Sequence, residues 1–239
     1  MRSILSLLLT LALFTQVLPP HVSAESGNDP VTVLVFGGTG RLGSEVARSL
    51  SQAGHHVTVF ARPSSNRERL AGIPAAFVLG DVLVEADVLT AVQQTQPQVI
   101  VDALSRGRAP ADFYATSAAH IATAASQAGV EQIILHGSVG AGDSAKVLND
   151  GISAGMRRLF EQKGAGENAV INSGVPYTII RNWQVRRYGT GASGTAALTE
   201  DQSATDSVSR ADLAQLTLAC FAKERCLNRI FHAIQQPER

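Results

Sequence analysis

A short apolar run that leads directly into a glycine-rich turn constrains the fold of this chain more than any other feature. Residues 31–36, VTVLVF, are apolar but for one threonine, a pattern typical of a central strand covered on both faces. The turn, GGTGRLG at residues 37–43, follows at once, and Leu42, Val46 and Leu50 then recur at the spacing of one helix face. A strand, a glycine turn and a helix in this order predict a pocket for the diphosphate of a dinucleotide.

Each of three glycines has a separate task in that prediction. Gly37 permits the tight turn, Gly40 lets the backbone approach a pyrophosphate, and Gly43 lets the helix pack close to the sheet. The first amides of the helix then face the phosphates. The alternative is an ordinary strand–helix loop that happens to be rich in glycine.

The rest of the chain alternates β-rich runs with helical patterns, which is typical of parallel βαβ units. We therefore predict an α/β fold, a Rossmann-type doubly wound parallel sheet of about seven strands in a single domain over residues 25–239. The predicted strands cover residues 31–36, 56–61, 75–79, 98–104, 132–136, 177–181 and 229–233. After the helix at the turn, the predicted helices cover residues 85–94, 112–128, 153–172 and 210–222. Residues 186–205, rich in small residues, are expected to form a mobile loop after the sixth strand.

The first 24 residues are predicted to be a signal peptide. Arg2 gives a positive start, residues 4–18 are largely apolar, and residues 22–24, VSA, offer small side chains to a signal peptidase. We expect export to a periplasm or out of the cell, with the mature domain starting near Glu25. The alternative is a retained membrane anchor. The apolar run is shorter than the roughly 20 residues of a spanning helix, so no stable membrane span is expected after cleavage.

Charge and cysteine content narrow the partners of the chain. The 20 Lys and Arg residues balance 20 Asp and Glu residues, which predicts no general attraction to nucleic acid or anionic lipid. Cys220 and Cys226 indicate a disulfide if the protein is exported, and two separate thiols if it stays in a reducing cytosol. No set of Cys and His has metal-ligand spacing, so no metal site is predicted.

The residue after the second predicted strand indicates which dinucleotide binds. NAD-binding proteins usually carry Asp or Glu there, whereas this chain has Arg62, whose guanidinium suits a 2′-phosphate. We expect NADP(H), with NAD(H) less favoured, and with Arg41 and Arg67 as candidate helpers; the alternative for Arg62 is a solvated loop charge. Asp81, beside Val82, is expected to accept a hydrogen bond from the adenine amino group or to cap the next helix.

Motifs over residues 31–233 occur in a specific order. They are VFGGTGRLG at 35–43, GDV at 80–82, AGV at 128–130, HGSVGAG at 136–142, KGAGE at 163–167, SGVPYTIIR at 173–181 and VSRADLA at 208–214. In this order they resemble the atypical short-chain dehydrogenases/reductases of the NAD(P)H-binding, NmrA-like type. Within that family, GDVL at 80–83 followed by ADV at 86–88 is most similar to the flavin/biliverdin reductase branch.

The resemblance implies roles for two further residues. Ser138 lies where the family places a loop residue beside the nicotinamide, and Lys163 lies at the lysine of the family's Tyr-x-x-x-Lys pair. In that pair the tyrosine is the general acid and the lysine holds the nicotinamide ribose. The tyrosine position is Leu159 in this chain, so the usual proton donor is absent. The alternative for Lys163 is an ion pair with Glu167, one helical turn on.

Other polar residues near the strand ends have no motif behind them. Tyr114 and Tyr188 are candidate proton donors, and His136 fits a hydrogen-bonded core histidine. Ser138 lacks the Asp and His partners of a hydrolase nucleophile. The residues expected to line the acceptor side after the sixth strand are Arg181, Asn182 and Trp183, and the alternative for Trp183 is a core or lid aromatic.

These patterns predict an NAD(P)H-binding oxidoreductase that passes hydride to a small aromatic acceptor of the flavin or quinone kind, which takes its proton from solvent. The alternative is a non-catalytic NADP(H)-binding sensor or interaction protein. The candidate catalytic residues are Ser138 and Lys163. The candidate cofactor-binding residues are Gly37, Gly38, Thr39, Gly40, Arg41, Leu42, Gly43, Arg62, Asp81, Val82, Ser138 and Lys163.

Overall fold

A computed structural model describes residues 29–236. The predicted signal peptide, residues 1–24, lies outside the described residues. The strands are β1 (Thr32–Phe36), β2 (His56–Ala61), β3 (Ala75–Leu79), β4 (Val99–Asp102), β5 (Gln132–Ser138), β6 (Tyr177–Asn182), β7 (Gln184–Val185), β8 (Ala196–Thr199), β9 (Ser207–Val208) and β10 (Arg229–Gln235). The helices are α1 (Gly43–Gln52), α2 (Glu85–Thr95), α3 (Phe113–Ala128), α4 (Ala154–Ile171) and α5 (Arg210–Cys220).

Eight of the strands form one sheet, in the order β3–β2–β1–β4–β5–β6–β10–β8. The seven strands from β3 to β10 in this order pair in parallel, and β8 runs antiparallel to β10. The order reverses between β1 and β4, and doubly wound sheets bind ligands at such a switch point. The predicted fold class is confirmed, with one strand more than the seven expected.

The extra strand lies in the segment that was expected to be a mobile loop, residues 186–205. Ala196–Thr199 forms β8 and pairs with β10, with Ala196 opposite Gln235. The loop prediction is therefore wrong for this part of the segment. The composition concealed the strand because a four-residue edge strand, AALT, has no clear polar–apolar alternation.

Strand β1 shows why its sequence is an unbroken apolar run. Val33 and Val35 pack with residues of α1 and α5 on one face of the sheet, whereas Leu34 and Phe36 pack with residues of α2 and α3 on the other. All four side chains are fully buried. Coverage of both faces holds the end of β1, and the turn after it, in a fixed position. Within residues 29–236, no helix is both long and apolar enough to cross a membrane.

A disulfide joins the end of α5 to the approach to β10, so the predicted pairing of Cys220 with Cys226 is confirmed. Both cysteines are buried. The side chain of Gln132 donates to the carbonyl of Cys220 and accepts from the amide of Ala222. The Thr178 hydroxyl donates to the carbonyl of Cys226 at 2.8 Å. The cross-link is thus tied to the first residues of β5 and β6.

Candidate functional site

A cavity of about 750 Å³ lies at the carboxyl ends of the parallel strands, over the switch point between β1 and β4. Its walls are the glycine turn, the loops after β2 to β6 and the starts of α3 and α5. Ten of the twelve predicted site residues line it: Gly37, Thr39, Gly40, Arg41, Leu42, Arg62, Asp81, Val82, Ser138 and Lys163. The other two, Gly38 and Gly43, belong to the glycine turn but do not line the cavity.

The turn needs glycine for steric reasons. Gly37 has φ = +79°, and a Cβ there would lie 2.5 Å from the carbonyl oxygen of Ala103 in the neighbouring loop. A Cβ on Gly43 would collide with the backbone of Gly37, and one on Gly38 would lie 2.7 Å from the side chain of Val59. Any larger residue at these positions would push α1 or the turn away from the sheet.

The start of α1 presents backbone amides to the cavity. The amide of Gly40 donates to Gly37 and that of Ser44 donates to Gly40, which closes the turn. No acceptor within residues 29–236 meets the amides of Arg41 and Leu42, and the helix has no side-chain cap. Uncapped amides at a helix N-terminus bind anions, because the helix dipole adds positive potential there.

Most of the charged side chains that line the cavity are basic. Among the lining residues, Asp81 is the only acidic one within the described part of the chain. The basic lining residues are Arg41, Arg62, Arg69, Arg106, Lys163 and Arg210. A wall with this charge attracts an anionic ligand and raises its rate of association.

The second arginine that lines the cavity after β2 is Arg69, whereas the prediction named Arg67. Arg62 is exposed at the end of β2 and lines the cavity, as expected. Arg67, predicted as a helper, instead stacks on the ring of Phe77, with its guanidinium carbon 4.5 Å from the ring centroid. Arg69 lines the cavity because the short 3-10 helix Glu68–Leu70 turns it to that side. The spacing of arginines in a loop gives no signal for choosing between the two.

Asp81 does not cap the helix that follows it. The N-cap of α2 is Val84, so that alternative is wrong. The Asp81 carboxylate accepts the amide of Leu83 at 3.0 Å, and the Asp81 amide donates to Asp87 at 2.8 Å. These bonds fix Asp81 at the rim of the cavity, where it can accept a further hydrogen bond from a ligand.

Lys163 faces the cavity and does not pair with Glu167, so the ion-pair alternative is wrong. The physical reason is Arg181, which reaches from β6 and binds the Glu167 carboxylate at 2.7 Å. The Lys163 ammonium lies 4.4 Å from the centroid of the Tyr114 ring. Burial lowers the pKa of Lys163, and the carboxylate of Asp102 opposes that shift.

Arg181 itself is buried and does not line the cavity, contrary to the prediction for the acceptor side. Its guanidinium binds Glu167, Asp143 and the side-chain oxygen of Gln202. Asn182 does line the cavity, whereas Trp183 is exposed and is not among the lining residues. The alternation of side chains along β6 sends Arg181 and Asn182 in opposite directions.

One ring nitrogen of His136 forms a hydrogen bond, and the other has no hydrogen-bond partner within residues 29–236. The Thr217 hydroxyl donates to the carbonyl of Leu213, so it accepts from Nε2–H of His136, 3.0 Å away. The Nδ1 atom is then an acceptor with no partner within residues 29–236. Burial lowers the pKa of His136 to about 4, so the ring is neutral at physiological pH.

Asp102 is a buried carboxyl group that the sequence analysis missed. It ends β4, lies opposite Phe36 of β1, and accepts the amide of Leu104 at 2.9 Å. Burial raises the pKa of Asp102 to about 6, although the Leu104 hydrogen bond and the charge of Lys163 oppose this. The sequence signal that could have identified Asp102 is an aspartate at the end of an apolar strand.

The two candidate tyrosines occupy different parts of the site. Tyr114 lines the cavity, and its hydroxyl accepts the amide of Arg106 at 3.1 Å. Tyr188 is exposed and lies between two guanidinium groups, with its ring centroid 5.8 Å from Arg41 and 5.6 Å from Arg69. Leu159 is half-buried and is not among the residues that line the cavity.

Known proteins resemble this chain in sequence and in fold. A family model described as NAD(P)H-binding matches residues 37–224. An uncharacterized chloroplastic protein of Arabidopsis thaliana is 27% identical over 242 residues, which covers 91% of this chain and 73% of that protein. ChuY from Escherichia coli O157:H7, an anaerobilin reductase, has a TM-score of 0.75 at 20% identity, covering 87% of this chain and 98% of that one.

Two further solved structures share the architecture. The oxidoreductase YlbE of Lactococcus lactis has a TM-score of 0.73 at 18% identity, covering 85% of this chain and 90% of that one. A wide-type short-chain dehydrogenase/reductase from Veillonella parvula, in complex with NADP, has a TM-score of 0.67 at 15% identity, covering 85% of this chain and 94% of that one. At these identities the structures establish a common fold.

Proposed function

The chain belongs to the family of NAD(P)H-binding proteins, and from that premise we propose that it is an NADPH-dependent reductase with a small aromatic acceptor. The observation that carries the proposal is one continuous cavity, which joins the uncapped start of α1 to Ser138 and Lys163. Hydride transfer needs a dinucleotide and an acceptor held side by side, and a single cavity of about 750 Å³ provides that arrangement.

The residues present fit the dinucleotide. The amides of Arg41 and Leu42 would hold the diphosphate, and Ser138 and Lys163 would hold the nicotinamide ribose and ring. NADPH, when bound, supplies the hydride, and the protein supplies orientation and electrostatics.

Charge at the adenosine end supports NADPH over NADH. Arg62 and Arg69 line the cavity beyond β2, where an NAD-specific site would carry a carboxylate. Each guanidinium can form charge-assisted hydrogen bonds to a 2′-phosphate. Asp81, which follows the neighbouring strand β3 and also lines the cavity, would accept a hydrogen bond from the adenine amino group.

The part of the cavity wall that follows β4 favours a flat aromatic acceptor. Leu104, Pro110, Phe113 and Tyr114 supply apolar faces, and Arg106 supplies a positive charge. Such a wall suits a planar acceptor that carries an anionic group. ChuY, which shares the fold, is an anaerobilin reductase, so bilins belong with flavins and quinones among the acceptors to test.

The test is a titration followed by turnover. Calorimetry of the purified chain with NADPH and NADH should give NADPH the lower Kd, by about 10-fold or more, as one additional charge-assisted hydrogen bond predicts. NADPH oxidation is then followed with FMN, phenanthrenequinone and biliverdin. Absence of binding with both dinucleotides refutes the proposal. Binding without turnover of any acceptor refutes the reductase activity and supports only the dinucleotide site.

That last result would favour a second candidate function, a non-catalytic NADP(H) sensor. The observation behind it is Leu159, which stands where the related family carries its proton-donating tyrosine. A sensor would change shape or partner on binding. Hydrogen exchange of residues 186–195, compared with and without NADPH, measures this, and unchanged protection together with turnover would exclude the sensor.

We also propose that the protein is exported through residues 1–24. The disulfide between Cys220 and Cys226 supports this, since disulfides persist in oxidising compartments. The test is mass analysis of the chain expressed from Met1 in a secreting bacterium. A mature N-terminus near Glu25 in the periplasm or medium supports export, whereas an intact N-terminus in the cytosol refutes it.

A further inference from the structure

We propose that Tyr114 is the proton donor of this site, in place of the family tyrosine that Leu159 replaces; this rests on the proposed reductase function. Tyr114 lies in the first turn of α3 and lines the cavity together with Ser138 and Lys163. Leu159, by contrast, does not line the cavity.

The Tyr114 hydroxyl has its hydrogen available. Its oxygen accepts the amide of Arg106 at 3.1 Å, which fixes the phenol in place. Its own hydrogen has no acceptor within residues 29–236. A tyrosine hydroxyl donates one hydrogen bond and accepts others, so the remaining bond is a donation. A ligand oxygen in the cavity is the partner this geometry fits.

The Lys163 side chain, from α4, packs against the face of the Tyr114 ring. Its ammonium lies 4.4 Å from the ring centroid and has no carboxylate partner among the described ion pairs. Helices α3 and α4 approach closely enough for this at Gly166, where a Cβ would lie 2.8 Å from the Tyr114 carbonyl oxygen. Tyr114 from α3 and Lys163 from α4 thus lie together at the wall of the cavity.

The step balances with a carbonyl acceptor. The carbonyl carbon gains hydride from bound NADPH, and the C=O electron pair moves to oxygen. The Tyr114 O–H bond breaks and its proton passes to that oxygen. The acceptor is reduced by two electrons, the dinucleotide is oxidised, and the phenolate regains a proton from water. Within the proposed acceptor class, carbonyl-bearing aromatic compounds such as o-quinones are the acceptors that need this proton.

The experiment compares two acceptors in Tyr114→Phe. Reduced FMN persists as an anion at neutral pH and needs no proton during transfer, whereas phenanthrenequinone does. We expect kcat for the quinone to fall about 100-fold, the usual contribution of a general acid. NADPH affinity and the KM for the quinone should stay within about two-fold, and the quinone kcat should fall at least ten times further than the FMN rate. Tyr177→Phe, at the far end of β6, is the matched control and should behave as the native enzyme.

The possible outcomes separate this inference from the function on which it rests. Native enzyme that turns over no acceptor overturns both. Equal quinone kcat in native and variant enzyme overturns the role of Tyr114 alone. Loss of both rates together, or a rise in KM with kcat unchanged, shows that the hydroxyl only ties down the Arg106 loop, and this also overturns it.

Discussion

The guanidinium of Arg181 binds the carboxylate of Glu167 at 2.7 Å, and both side chains are buried. The same guanidinium contacts Asp143, whose side chain is 62% exposed, at 2.6 Å. A Cβ on Gly137 would lie 2.5 Å from Glu167, and one on Gly142 would lie 2.6 Å from Arg181. The ion pair therefore packs against the end of β5, whose last three residues line the cavity, and against Gly142 at the start of the next 3-10 helix.

Replacement of Glu167 should cost far more stability than replacement of Asp143. Glu167→Gln leaves Arg181 buried without its buried counter-ion, and we expect a loss of about 3 kcal/mol of unfolding free energy. Asp143→Asn removes a partner that water already screens, with an expected loss below about 1 kcal/mol. Urea unfolding of the two variants measures the difference. Equal losses would show that the buried ion pair contributes no more to the free energy of unfolding than the exposed one.

The pairing of Arg181 with Glu167 could not be predicted from the sequence, because it joins residues from separate elements. The spacing of Lys163 and Glu167 on one helix suggested a local ion pair, and helix periodicity contains no information about a competing arginine. Arg181 is 14 residues further along the chain from Glu167 and meets it only because β6 lies beside β5. The same limit hid the contact of Tyr114 with Lys163, which depends on the packing of α3 against α4.

Local signals were sufficient for the nucleotide end. The apolar run of β1, the turn after it and Arg62 at the end of β2 follow one another along the chain, so their geometry depends on few distant contacts. The resemblance to atypical short-chain dehydrogenases/reductases is confirmed by the NAD(P)H-binding family match and the shared fold. The acceptor end gathers residues from loops far apart in sequence, and only the sheet order brings them together.

Arg62→Asp should reverse the preference between dinucleotides. The change removes a donor for the 2′-phosphate and places a carboxylate where NADH offers a ribose hydroxyl. We expect the NADPH Kd to rise about 10- to 100-fold, equivalent to the loss of one charge-assisted hydrogen bond, while the NADH Kd changes little or falls. Fluorescence titration measures both constants. Arg67→Ala, whose side chain stacks on Phe77 outside the cavity, is the control; unchanged selectivity in Arg62→Asp would remove Arg62 from the cofactor site.

Loss of the disulfide should lower thermal stability without affecting the cavity. Cys220 and Cys226 are six positions apart, and closing so short a loop contributes about 2 kcal/mol. Double replacement by alanine should lower Tm by roughly 4 to 8 °C, with dinucleotide affinity unchanged. Differential scanning fluorimetry gives the first quantity and calorimetry the second. An equal Tm for native and double-variant protein, or two free thiols in the oxidised protein by mass analysis, would contradict the expectation.

Two buried groups on neighbouring strands should give opposite pH dependences of stability. The pKa of Asp102 is raised to about 6, so the folded state holds its proton more tightly than the unfolded state, and the Asp102 contribution falls as pH rises from about 4 to 6. The pKa of His136 is lowered to about 4, so the unfolded state holds that proton more tightly, and its contribution rises with pH up to about 6.5. In the native protein the two slopes oppose each other.

Asp102→Asn isolates the first of these effects, because the amide oxygen can still accept the amide of Leu104. Relative to the native protein, the variant should gain about 3 kcal/mol of unfolding free energy between pH 4 and pH 7, the equivalent of a pKa difference of about two units. Its own stability should then show the steeper fall on acidification that His136 produces. Urea unfolding at several pH values measures both curves. Parallel curves would mean that the pKa of Asp102 is the same in the folded and the unfolded protein, and would contradict the expectation.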